Sequence, residues 1–182
     1  MIKEATTYKV AFSKSKPGKL KGLFIAIVHA TRIPPHIGIV ADEKYHSLSI
    51  KGQNLNIPAE ALLKNISLRK IPALFIKIKP HSTFSDIYLS EHFITDVQKF
   101  NRVDADVATC LSPIKLFFEE VYNLSMKDVN YLYELLPVLE AEGLIEDAIS
   151  MNIDENNYCL PVYTIKEINE GIKQVRKEYK TQ

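Results

Sequence analysis

Cys110 lies in the run Asp106-Val107-Ala108-Thr109-Cys110-Leu111-Ser112-Pro113, at the start of a segment whose apolar residues at 114, 117, 118 and 121 have helical spacing. A thiol at a helix N-terminus sits near unpaired N–H groups and the positive end of the helix dipole, and both favour the thiolate. That is the environment a nucleophilic cysteine needs. The other common role of a free cysteine is that of a small buried hydrophobe. Two helix starts are compatible with the sequence. Proline suits the first helical position with serine before it as the cap, so a start at Ser112-Pro113 leaves Cys110 two residues upstream of the cap. With Thr109 as the cap, Pro113 still falls in the first turn, where its missing N–H costs little.

His36 opens the segment His36-Ile37-Gly38-Ile39-Val40, directly after two prolines that restrict how the chain enters it. An imidazole there can act as general base for a thiol that the fold brings near, since the two must be adjacent in space and not in sequence. A strand-end histidine making one hydrogen bond is the simpler alternative. Gly38, inside the strand, implies close approach of another backbone or ligand. His29, His81 and His92 show no His-x-x-x-His or paired-carboxylate spacing, so no metal site is expected. Cys159, in Asn157-Tyr158-Cys159-Leu160-Pro161, has no helical context and reads as structural, and Asp104 and Asp106 alternate with apolar residues as a solvated face would.

The elements that must position these residues are a set of strands followed by helices. Residues 1–20 are polar, with lysines at 14, 16, 19 and 21, a turn at Pro17-Gly18 and a short strand over 8–12. Strands are expected over 23–28, 36–41, 45–50 and 73–78, the second and third forming a hairpin around Asp42-Glu43-Lys44. Pro58 begins a short helix over 58–63. Further helices are expected over 90–100, 111–122, 128–142 and 164–180, with Leu132, Leu135, Leu136 and Leu139 on one stripe and Gly143 as a stop. The result is an α+β chain: an antiparallel sheet or small barrel packed against helices, one domain over 1–182 with 126–182 as a helical C-terminal extension.

Length and composition bound the function. A chain of 182 residues with 46% apolar and 25% charged residues fits one globular domain and excludes disordered and collagen-like classes. Lys+Arg 23 against Asp+Glu 22 leaves a net charge of +1, without the basic excess that phosphate neutralisation requires, so nucleic acid is not an expected partner. Two cysteines without CxxC spacing exclude a disulfide scaffold and fit a reducing compartment. The apolar run 23–28 is too short for a membrane span or a signal peptide, so a cytoplasmic location with no membrane span is expected.

The run Ile33-Pro34-Pro35-His36-Ile37-Gly38-Ile39-Val40 resembles the histidine strand of circularly permuted papain-like cysteine hydrolases, the branch that includes NlpC-type peptidases, YiiX-like proteins and lecithin retinol acyltransferase. In that family a His-x-Gly-Ile strand comes first, a second strand supplies a third polar residue, and the cysteine follows at a helix start. The resemblance extends over residues 21–122, with Tyr45-His46-Ser47-Leu48-Ser49-Ile50-Lys51-Gly52 in the place of the second strand. It implies a permuted papain-like fold in which Cys110 is the nucleophile and His36 its base. His46 is the preferred third residue and Ser47 close behind, on opposite faces of their strand. The implied activity is hydrolysis or acyl transfer on an amide or ester bond of a peptide, amide or lipid substrate, through a Cys110 thioester and without metal or cofactor. Two alternatives stand beside it. One is a binding module on the same fold without turnover. The other is a C-terminal interaction segment, since 126–145 resembles the helix, glycine and strand of winged-helix proteins with a wing over 149–162, although Asp128, Glu134, Glu140, Glu142, Glu146 and Asp147 make it repel phosphate.

Overall fold

The computed structural model of the chain describes residues 8–13 and 18–180. Lys14, Lys16 and Pro17, part of the basic cluster and turn read from the sequence, lie outside the described residues. In chain order the elements are β1 (Leu23–Val28), β2 (His36–Ala41), β3 (Lys44–Ser49), β4 (Gly52–Pro58), α1 (Ala59–Leu68) and β5 (Ala73–Ile78). They continue with α2 (Asp86–Gln98), α3 (Ser112–Tyr122), α4 (Leu132–Ala141), β6 (Ile145–Met151) and α5 (Ile165–Lys180).

The six strands form one sheet in the order β4-β3-β2-β1-β5-β6, and every neighbouring pair is antiparallel. The sheet stays open, with β4 and β6 as its edges, so of the two expected arrangements the sheet is formed and the barrel is not. All six residues of β1 are buried. Alternation along the central strands divides them between two cores. Phe24, Ala26, Val40 and Phe75 pack with Leu62 and Ile66 of α1 on one face. Ile25, Ile27, Ile39 and Ile76 pack with α2, α3 and α4 on the other. Helices on both faces explain why these strands read as continuous apolar runs.

Two strands lacked such a signal. The polar β4, Gly-Gln-Asn-Leu-Asn-Ile-Pro, is an edge strand with no fully buried residue, and it pairs with β3 through a register shift between Tyr45 and Ser47. The segment 126–182, expected as a helical extension, also contributes β6, which pairs with β5 from Ala73↔Met151 to Ile78↔Ile145. Residues 149–151 therefore complete a sheet edge and do not open a separate wing. Residues 8–12, expected as a strand, run outside the sheet, with Val10 buried in the larger core and the Ser13 N–H donating to the Ala148 carbonyl at 2.8 Å. Among the described residues no helix is long and apolar enough to cross a membrane.

Gly38 is the tightest point of the β2–β3 hairpin. A Cβ there would lie 2.5 Å from the His46 carbonyl oxygen, 2.6 Å from Tyr45 Cε2 and 2.8 Å from Ser47 Cβ. Two of these contacts are to groups rooted in the neighbouring strand, so neither can move aside without bending it. Gly38→Ala is expected to destabilise the protein by about 1–3 kcal/mol, the range of an overpacked core. Gly18→Ala, where nothing lies within 4 Å, serves as the neutral control. Urea unfolding of the two variants checks this, and equal midpoints would refute the close approach.

Candidate functional site

Cys110 is held by a turn added in front of α3. The Ser112 N–H donates to the Thr109 carbonyl at 3.1 Å, and the Leu111 N–H donates to Thr109 Oγ1 at 3.2 Å. Ser112 Oγ in return accepts from the Thr109 N–H at 3.0 Å. This reciprocal pair is a capping box with serine in the place of the usual acidic residue. Thr109 is thus the side-chain cap although the regular helix starts at Ser112, and Cys110 falls in the capping turn. The half-buried thiol donates to the Pro35 carbonyl, with a long sulfur-to-oxygen distance of 3.9 Å. Burial pushes it up to about 11, against the opposing pull of the backbone N–H groups of Ile37, Cys110 and Leu111. The resting group is a protonated thiol.

The backbone that meets the thiol is available because β2 and β3 part. Their paired residues run from Ala41↔Lys44 to Ile39↔His46 and no further toward Pro35. The Pro35 carbonyl and Ile37 N–H, on either side of His36, are met by Cys110. Alternation along β2 directs His36 with Gly38 and Val40 toward the α1 side of the sheet, whereas Cys110 packs against the core under α2 and α3.

His36 Nε2 lies 3.1 Å from Ser47 Oγ, and that hydroxyl also accepts from Asn54 Nδ2 at 3.1 Å. The structure therefore joins His36 to Ser47, with Asn54 of β4 behind it. Burial, then the positive charges of His29 and Arg32, lowers His36 to about 4, so its imidazole is neutral at rest. No hydrogen bond links the His36 and Cys110 side chains among the described residues.

His46 has other partners. Its Nδ1 accepts the backbone N–H of Asn56 at 3.0 Å, and its Nε2 lies 2.9 Å from Ser90 Oγ on α2. Asn56 is in the left-handed region at φ 56°, next to the irregularity in the β3–β4 pairing. With Nδ1 accepting, Nε2 carries the proton and donates to Ser90. His46 thus ties the β4 irregularity to α2, fully buried and lowered to about 4 by burial and then by Lys44.

A small apolar pocket of about 40 Å³ opens beside the thiol, lined by Pro35, Ile37, Leu111, Tyr163, Ile168 and Ile172 among others. The last two belong to α5, which is fastened over this end of the molecule by Arg176. Its guanidinium lies 3.0 Å from Asp104 Oδ1 and donates to the Val103 carbonyl at 3.3 Å. Burial, then the nearby Cys110, holds the Tyr163 hydroxyl above the ordinary phenol range, and Tyr45 is raised by burial first and by Cys110 among the lesser causes. Asn54 and Tyr163 were missed by the sequence reading. Asn54 had a usable signal, the alternation Gln53, Leu55, Ile57 against Asn54 and Asn56, whereas Tyr163 lies in an irregular segment with none.

No protein-family model, curated protein or solved structure matches the chain. The site is therefore read from its own geometry.

Two outcomes are expected. A thiol pushed up by burial from its ordinary 9.0 to about 11 carries about a hundredfold less thiolate near neutral pH. Iodoacetamide should label Cys110 about that much more slowly than a free thiol, with exposed Cys159 as internal reference. Mass spectrometry of the labelled peptides reads the ratio, and equal rates would contradict the burial argument. The second concerns acid. His36 and His46, held near 4, bind fewer protons folded than unfolded below about pH 6.5. The stability they give is complete above that pH and is lost as pH falls through about 4, on the order of 3 kcal/mol for each. Urea midpoints across this range should fall accordingly; a flat profile would mean that both rings remain solvated.

Proposed function

We propose that the protein is a cysteine hydrolase or acyltransferase that acts on an amide or ester bond through a Cys110 thioester, on a permuted papain-like arrangement of His36 strand before Cys110 helix. The observation that carries this reading is the setting of the thiol: the backbone N–H groups of Cys110 and Leu111 at a capped helix start, and that of Ile37 in the strand that begins at His36, face it. The His36–Ser47–Asn54 chain supports it further, since a base needs a partner that fixes its ring and tautomer. On this criterion Ser47, and not His46, is the third residue, because both nitrogens of His46 are engaged elsewhere.

The chemistry starts from a neutral pair. His36 donates Nε2–H to Ser47 and, since its ring lies on the α1 side of β2 and the thiol on the other, takes the Cys110 proton on Nδ1 through a bridging water at the open strand end as the sulfur attacks the carbonyl carbon. The oxyanion is stabilised by backbone N–H groups at the helix start, that of Cys110 first. Collapse of the intermediate expels the amine or alcohol, which receives the proton from His36 and leaves a thioester. Water or an acceptor hydroxyl or amine, deprotonated by His36, then releases the acyl group and restores the thiol. The apolar lining beside Cys110 suits an apolar acyl group, which favours a lipid or an apolar peptide side chain as substrate. A reducing cytoplasm, in which both free cysteines persist, is the matching compartment.

A second reading, a binding module without turnover, is favoured by the protonated thiol and by the lack of a His36–Cys110 hydrogen bond. One experiment separates the two. The protein is incubated with a series of p-nitrophenyl acyl esters, and nitrophenol release is followed together with the mass of the Cys110 peptide. The hydrolase reading expects an acyl adduct on Cys110, formed about 10²–10⁴-fold more slowly in His36→Ala, the usual contribution of a general base, and absent in Cys110→Ala. Adducts on Cys159 alone, or rates indifferent to His36, would leave the binding module.

A further inference from the structure

Away from the thiol, α2 and α3 bring together three side chains that the site above does not use. His92 and Asp96 are four residues apart on α2 and share a face, and Glu120 meets them from α3. We propose that His92, Asp96 and Glu120 form a binding site for a divalent transition-metal ion of the zinc and cobalt class.

His92 Nε2 lies 3.1 Å from Glu120 Oε2 and 3.7 Å from Asp96 Oδ2, and the three groups offer ligand atoms within 4.8 Å of one another. Donors bound to one zinc at bonds of about 2.0–2.2 Å lie roughly 3–3.7 Å from each other, so a small movement of Glu120 completes the set. Lys99 is compatible with this. Its ammonium holds the other carboxylate oxygens, Asp96 Oδ1 at 2.9 Å and Glu120 Oε1 at 2.8 Å, which orients both groups and leaves Oδ2 and Oε2 toward His92. The imidazole is itself positioned by the rings of Tyr88 and Phe117.

A second observation points to a ligand. Asp96 has 0% side-chain exposure, and its Oδ2, the oxygen nearest His92, has no hydrogen-bond partner. Leaving a buried carboxylate oxygen unpartnered is costly, and a cation at this point supplies the missing contact. One imidazole and two carboxylates suit zinc, cobalt or nickel better than magnesium or calcium, which favour all-oxygen shells. His92 and Glu120 are 22% and 43% exposed, so the outer coordination position faces solvent and takes water. The ion would cross-link α2 to α3. The spacing is His-x-x-x-Asp completed from another helix, a pattern that a search for two histidines does not find.

The test uses the untagged full chain, stripped with EDTA and titrated with Co²⁺ and then Zn²⁺. The expected result is a visible d–d absorption that saturates at about one equivalent. Zinc at about a hundredfold above its Kd is expected to raise Tm by roughly 5–10 °C. His92→Ala and Glu120→Gln, both at partly exposed positions, are expected to keep the wild-type circular dichroism and to lose both signals. Failure of the wild-type chain to bind either ion overturns the proposal. So does binding that survives in His92→Ala and Glu120→Gln.

Discussion

Burial of the central sheet on both faces is the constraint from which the rest follows. β1 has no solvent-facing side, so its neighbours must satisfy its backbone in plane while helices cover it above and below. Three strands on one side of β1 (β2, β3 and β4) and two on the other (β5 and β6) meet the first need, and α1 against α2, α3 and α4 meets the second. The same constraint makes the β2–β3 hairpin tight. With Tyr45 packed across the sheet and Ser47 beside it, only a residue without a side chain fits at position 38.

Polar groups carried into this structure are shifted in opposite directions by one cause. Desolvation disfavours whichever form is charged, so it raises the Cys110 thiol and lowers the His36 and His46 imidazoles. The resting pair is therefore neutral, unlike a site that stores a thiolate–imidazolium ion pair. In the proposed reaction the proton transfer therefore waits for the attack step. The end of β2 is where the thiol meets strand backbone. As β3 leaves β2, backbone groups beside His36 lose a strand partner, and a capped helix start brings a sulfur to them.

The C-terminal third belongs to the same unit. β6 closes the β5 edge, Leu132, Leu135 and Leu136 complete the larger core, and α5 lies across the pocket beside Cys110, tied by Arg176 to the segment at Val103 and Asp104. Access to the thiol is thus set by a helix that follows it by more than fifty residues in sequence. Neither the core nor the pocket is complete without it.

Local pattern determined the elements with large apolar content. The runs at 23–28, 36–41 and 73–78 match β1, β2 and β5 at both ends, because hydrophobic runs bounded by turns and prolines carry their own limits. The sequence also determined the α+β class, the glycine at the close approach and the two residues proposed to react. The edge strands β4 and β6 were not read: each is held by its ladder to one neighbour, and the alternation of a half-exposed strand is a weaker signal than a buried apolar run. Three features became visible only in the folded structure. The choice of Thr109 as cap follows from its hydrogen bonds with Ser112 and Leu111. The pairing of His36 with Ser47, while His46 turns to Ser90 and Asn56, follows from strand alternation combined with which helix covers which face. The meeting of His92 and Asp96 with Glu120 follows from α2 packing on α3. Spacing along a chain fixes which residues share a face, but only packing decides what that face meets.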